Sequence, residues 1–149
     1  MFELSSYCEY IDFSLDGMKG YVCEKLHSYC LDDMADWLYN VQNKESIGGR
    51  DIRDMNFFSA PASTKYHGDY PGGLMKHSIL VAENLALLTK QLDLKWQNPR
   101  SPYVVGLLHD ICKADKYVCH NDPLHNINTY SYRNDDIYNH HAEKSLAML

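Results

Sequence analysis

The segment Ala60-Pro61-Ala62-Ser63-Thr64-Lys65-Tyr66-His67-Gly68-Asp69-Tyr70-Pro71-Gly72-Gly73 constrains the fold more than any other part of the chain. Its two prolines and three glycines remove backbone donors and loosen the backbone at close intervals, so no regular element runs through most of it. The loop must be shaped rather than helical, and the regular structure must lie on either side of it. Towards the C-terminus the pattern turns helical from Leu74 to about Leu92. Leu74, His77, Val81, Leu85 and Leu88 form one stripe facing the core, with Lys76, Glu83 and Lys90 off it. Towards the N-terminus, residues 16–41 read as one helix capped by Asp16. Met18, Val22, Leu26, Tyr29, Met34, Trp37, Leu38 and Val41 recur there at spacings of about three and four. Asn43 to Asp54, with Gly48-Gly49, reads as a loop.

After the polar connection Asp93–Arg100, Ser101 offers an N-cap and Pro102 a first helical residue whose missing N–H costs nothing. The helix so begun is expected to run to about Lys116. Its body, Val104 to Cys112, is apolar nearly all round, which predicts burial in the middle of a helical bundle. Residues 119–136 are rich in Asn, Asp, Pro and Tyr, and Asn128–Tyr132 alternates weakly enough for a short hairpin at best. Ile137 to Leu149 reads as a last helix, and its apolar face is still running at Leu146-Ala147-Met148-Leu149. A fold continuing beyond Leu149, or self-association into a homo-oligomer, is the expectation from that ending. The fold class predicted is all-α: one domain over 1–149, with 1–54 an N-terminal helical extension and 55–149 the core, plus a small hairpin.

Composition narrows the functions. A chain of 149 residues has room for a single hydrophobic core. With 14 Lys+Arg against 20 Asp+Glu, the net charge of −6 does not supply the basic surface on which duplex DNA binding depends. The longest apolar runs, Ile79–Ala82 and Tyr103–Leu108, fall far short of the roughly 20 residues that span a bilayer, so no membrane anchor is expected. Met1-Phe2-Glu3-Leu4-Ser5 lacks the form of a secretion signal, and a cytoplasmic location is the expectation. Cys8, Cys23, Cys30, Cys112 and Cys119 have no zinc-knuckle or redox-pair spacing and read as buried or idle thiols.

The compositional excess is the eight histidines. Three helices each carry one on or beside the buried face: His77, then His109 beside Asp110, then His141. Helices of a bundle can bring such residues to one point. A buried carboxylate such as Asp110 needs a cation or hydrogen-bond donors to stay ionised, and a divalent metal meets that need. Neighbours on a helix diverge by about 100 degrees, so His109 and Asp110 are expected to reach one cavity only from its rim. Mixed imidazole and carboxylate ligation suits Mn²⁺, Fe²⁺, Co²⁺, Ni²⁺ or Zn²⁺ better than Ca²⁺. Lys113, one turn beyond, is placed to meet a phosphate oxygen or simply to end a helix in solvent.

Gly72-Gly73-Leu74-Met75-Lys76-His77-Ser78, followed some thirty residues later by Leu107-Leu108-His109-Asp110-Ile111-Cys112-Lys113, resembles the HD-domain superfamily of metal-dependent phosphohydrolases. The Pro61–Leu74 loop is similar in particular to that of bacterial and phage HD proteins related to the 3′–5′ exoribonuclease group. The likeness covers roughly residues 55–149. It implies an HD-like helical bundle with His77, His109 and Asp110 as metal ligands, and with His141, in His140-His141-Ala142-Glu143-Lys144-Ser145, as the added histidine of members with a second metal. The family pattern ends in an aspartate on a later helix that this chain does not reach, and Asp135 and Asp136 come too early for it. The resemblance further implies hydrolysis of a phosphate ester in a nucleotide or at an RNA 3′ end. Asp110 would orient the attacking water, Lys113 would steady the phosphate, and His67, from the loop with Lys65, Tyr66 and Asp69, would face substrate. Two other readings stand beside it: a non-catalytic HD-like module binding a nucleotide or a protein, and a structural helical domain whose histidines are only packed.

Overall fold

A computed structural model describes residues 11–29, 31–40, 57–115, 117–132 and 141–148 of the chain. Helices α1 (Leu15–Ser28) and α2 (Asp32–Asn40) come first, followed by α3 (Gly73–Gln91) and α4 (Ser101–Leu108). A 3₁₀ helix over Ile111–Asp115 leads into strands β1 (Tyr117–Asp122) and β2 (Ile127–Tyr132), and α5 (His141–Met148) closes the series. The described chain is thus mostly helical with one small antiparallel sheet, in line with the coarse architecture expected.

Helix α1 begins one turn earlier than its first core residue because Ser14, not Asp16, caps it. The Gly17 N–H donates to Ser14 Oγ at 3.1 Å, and the Ser14 N–H donates to Asp12 Oδ1 at 2.9 Å. Met18, Val22 and Leu26, each four residues apart, are buried along one side. The single helix expected over 16–41 is broken. The Leu31 N–H reaches back to the Leu26 carbonyl at 2.8 Å, a closing bond of the Schellman kind. Asp32 and Asp33 then open α2, where acidic groups favour a helix N-terminus. His27 Nδ1 meets Asp32 Oδ1 at 2.6 Å across the join. Leu38 of α2 is fully buried, so the apolar repeat survives the break and hides it from a periodicity argument. Val41 and the loop expected over 43–54 lie outside the described residues.

The glycine-rich loop is shaped as expected, by backbone bonds that fold it against the start of α3. Ala62 N–H donates to the Gly68 carbonyl (2.8 Å), Gly72 N–H to Ser59 (3.2 Å) and Leu74 N–H to Ala60 (3.0 Å). Gly72 precedes α3 at φ +84°, a conformation costly for any residue with a Cβ. Phe57 and Phe58, edge to face at 5.5 Å, are buried beneath. The buried stripe of α3 is Leu74, Met75, Ser78, Ile79 and Ala82, while His77, Val81, Leu85 and Leu88 are only half-buried. The stripe expected from spacing is therefore rotated, and His77 stands at the edge of the core.

Helices α3 and α4 touch backbone to backbone. A Cβ on Gly106 would lie 2.3 Å from Ala82 Cα, so only glycine permits the approach. From the other side, the Tyr21 hydroxyl donates to the Glu83 carboxylate, and Lys25 Nζ sits 4.4 Å from the centre of the Tyr103 ring. Burial, reinforced by Glu83, pushes the Tyr21 phenol far above its ordinary pKa and keeps it a donor. Helix α4 ends at Leu108 rather than Lys116, and the chain turns through His109 and Asp110 into the 3₁₀ helix. Burial all round fails at Val105, which is 49% exposed.

The hairpin is longer than the short Asn128–Tyr132 element expected, pairing Tyr117 with Tyr132 through to Asp122 with Ile127. Asp122 accepts from the turn N–H groups of Leu124 and His125, which closes the hairpin. The Tyr117 hydroxyl donates to the Ala62 carbonyl at 3.3 Å and ties the hairpin to the loop before α3. Helix α5 docks on the 3₁₀ helix, where Ser145 Oγ accepts the Cys112 N–H at 3.2 Å. Residues 137–140 of the expected last helix lie outside the described residues. Cys112 is buried and Cys23 and Cys119 are half-buried, while Cys8 and Cys30 lie outside them. Among the described residues no helix is long and apolar enough to cross a membrane.

Candidate metal centre

His77 projects from the second turn of α3, and His109 and Asp110 come from the end of α4. The close contact at Gly106 and Ala82 sets how near the two helices lie. His109 keeps helical backbone angles (φ −59°, ψ −30°), and its N–H still donates to the Val105 carbonyl. His109 Nε2 lies 3.3 Å and His77 Nε2 3.4 Å from the same oxygen, Asp110 Oδ2. The His77 and His109 rings are 5.3 Å apart at their centres. One donor atom from each of the three residues falls within 4.8 Å of the others. His109 and Asp110, adjacent in the chain, thus bring one donor atom each to the same place as His77.

Electrostatics centre on Asp110. Its side chain is 6% exposed, yet Lys113 Nζ lies 3.1 Å from Oδ2, with its own side chain 18% exposed. Burial works against the carboxylate, but hydrogen bonds from His109 and His77 and the charge of Lys113 outweigh it and hold the group well below the ordinary range. Asp110 is therefore ionised at neutral pH. The His109 Nδ1 faces the Gly106 carbonyl at 2.8 Å, so Nδ1–H donates there and Nε2 is turned to the carboxylate. The hydrogen bond to Asp110 raises the His109 pKa against burial, and the Gly106 carbonyl adds to the rise.

The donor set fits a divalent metal. Ligand bonds of about 2.1 Å at tetrahedral angles place neighbouring donors roughly 3.4 Å apart, and the two imidazole-to-carboxylate separations are 3.3 and 3.4 Å. His77 and His109 keep 28% and 30% of their side-chain surface open, which leaves a side from which an ion and a substrate can enter. Three protein ligands with an open position is the arrangement of catalytic rather than structural sites. Two imidazoles and a carboxylate suit Mn²⁺, Fe²⁺, Co²⁺, Ni²⁺ or Zn²⁺.

The remaining residues singled out from sequence divide. His67 is exposed at the rim, its ring 5.5 Å from that of His77, and its carbonyl accepts from Ser63 Oγ at 2.7 Å. Lys113 is turned to Asp110 rather than to open solvent. His141 is the first residue of α5, one turn before Ser145, and its side chain lies outside what is described. Asp135 and Asp136 lie outside the described residues. Sequence reasoning missed the Gly106 carbonyl as the group that orients His109, because a backbone acceptor leaves no side-chain signature. It also missed Ser145, which fixes α5 beside the centre. Comparison with protein-family models, with curated proteins and with solved structures finds no match for the chain.

Proposed function

We propose that this chain is an HD-like metal-dependent phosphohydrolase acting on a phosphate ester of a nucleotide or a nucleic-acid end. The observation that carries the reading is the convergence of His77 Nε2, His109 Nε2 and Asp110 Oδ2 at metal-ligand spacing beside a lysine ammonium. A divalent cation held there supplies Lewis acidity toward a phosphoryl oxygen and a hydrolytic nucleophile at neutral pH. Asp110, kept ionised, orients the attacking water. Lys113 offers an ammonium to the phosphate charge as it grows toward the transition state. His67, at the open rim, meets the part of the substrate beyond the phosphorus. His141 is the candidate for a second metal. A cytoplasmic location and a homo-oligomer belong to the same proposal.

One observation favours a second reading, a nucleotide- or protein-binding module without turnover: Asp110 already has a cation from its own chain in Lys113. Metal analysis and turnover separate the two. The first reading expects near-stoichiometric transition metal in the purified protein and its loss in Asp110→Ala. It also expects hydrolysis within a panel of nucleotides, cyclic dinucleotides and short RNAs in Mn²⁺. Metal without hydrolysis above the Asp110→Ala control leaves the binding module, and no metal in either protein removes the phosphohydrolase reading.

A further inference from the structure

The ion pair between Lys113 and Asp110 bears on how a metal and an anion enter the centre. Lys113 Nζ is 3.1 Å from Asp110 Oδ2, the same oxygen that faces both His77 Nε2 and His109 Nε2. That oxygen is the only carboxylate atom in the three-donor cluster found among the described residues, so a metal ion and the lysine ammonium compete for it. Two cations cannot share one small, half-enclosed site without strong repulsion. Lys113 belongs to the short 3₁₀ helix, and its backbone N–H is held by the Asp110 carbonyl at 2.9 Å. The backbone is thus fixed, and any movement of the ammonium falls to the four-carbon stem, whose side chain keeps 18% of its surface open.

We infer that Lys113 is a resident counter-ion that a metal must displace, and that the displaced ammonium becomes a receptor for a phosphate group, so that metal and anion bind with positive coupling. The inference rests on the metal centre proposed above and goes beyond it in two ways. Metal affinity in the absence of anion is held down by the chain's own lysine. Because coupling is reciprocal, an anion that captures Lys113 raises metal affinity by the same factor by which the metal raises anion affinity. The substrate class implied is one with a phosphate charge within reach of the metal.

The test uses the full chain stripped of metal and titrated with Mn²⁺ alone, free Mn²⁺ being read by electron paramagnetic resonance, with and without dimethyl phosphate as the anion probe. Lys113→Met is expected to bind Mn²⁺ at least tenfold more tightly than wild type without anion, and Lys113→Arg to keep the weaker wild-type affinity. Dimethyl phosphate is expected to tighten Mn²⁺ binding several-fold more in wild type than in Lys113→Met. Lys113→Gln repeats the comparison should the methionine variant not fold. Equal or weaker Mn²⁺ binding by the neutral variants overturns the inference while leaving the metal centre standing. Absence of Mn²⁺ binding in wild type and variants alike overturns the metal centre and the inference together.

Discussion

Substituting Gly106 tests whether backbone contact between α3 and α4 sets the geometry of the centre. A methyl group there would sit 2.3 Å from Ala82 Cα and 2.7 Å from Ala82 N, both backbone atoms that cannot rotate away. Ordinary carbon contacts are about 3.5–4.0 Å, so the helices must part by roughly 1 Å. Overpacking of this kind costs about 1–3 kcal/mol, against a gain of about 1 kcal/mol for replacing glycine within a helix. With backbone atoms as near as 2.3 Å the upper end of that cost applies, so the expected net loss for Gly106→Ala is about 2 kcal/mol, or roughly 6 °C in Tm for a chain of this size. His109 hangs from the Gly106 carbonyl and faces His77 across the same contact. Metal ligands tolerate about 0.2 Å of error, so Mn²⁺ affinity should fall by more than tenfold. Thermal unfolding in EDTA reads the first effect and Mn²⁺ titration the second. A variant as stable as wild type in EDTA refutes the packing argument; one that is destabilised but binds Mn²⁺ normally refutes the link from packing to the centre.

At the α1–α2 join, the Asp32 hydrogen bond and charge raise the His27 pKa above its ordinary 6.5. The stabilisation is full below that value and is lost as pH rises through the raised one. A His27 NMR titration should therefore shift downward in Asp32→Asn, and an unchanged midpoint removes the pair. Ser145→Ala takes away the side-chain acceptor of the Cys112 N–H, which should lower stability by about 1 kcal/mol and speed hydrogen exchange at Cys112; unchanged exchange shows that α5 does not dock through this bond. Tyr117→Phe removes the hydroxyl that donates to Ala62 and should cost about 0.5–1.5 kcal/mol in chemical denaturation, with no loss meaning that the hairpin is held by its rings alone.

Sequence carried the elements whose signals are local. The glycines and prolines of 60–73 announced a shaped loop because each acts on its own backbone, and the three- and four-residue spacing after Gly73 announced α3 nearly to the residue. What it missed is either a local break masked by a continuing apolar repeat or a contact remote in sequence. The break after α1 escaped because Leu26 and Leu38 both reach the core, so the apolar repeat runs through a turn made by backbone bonds and by Asp32-Asp33. The buried stripe of α3 was misplaced because Gly106, about one helix away in sequence, lets α4 press against Ala82 and turns that side inward. His77, His109 and Asp110 were legible as donors, and their meeting at one place was legible too; the distances were not, since they depend on how closely α3 and α4 approach at Gly106.

The partners that Asp110 already has determine what metal binding contributes to stability. Asp110 is almost fully buried and already satisfied by two imidazoles and an ammonium. An entering divalent ion therefore replaces existing favourable interactions instead of relieving an orphaned charge. For a ligand at 100 times its dissociation constant, mass action adds about 2.7 kcal/mol whatever the microscopic origin of the affinity, but the affinity itself is a difference. It is the strength of three ligand bonds less the contacts that Asp110 already makes with Lys113 and the two imidazoles. A centre built in this way keeps its carboxylate folded in place before the metal arrives, and the cost of that readiness is weaker binding.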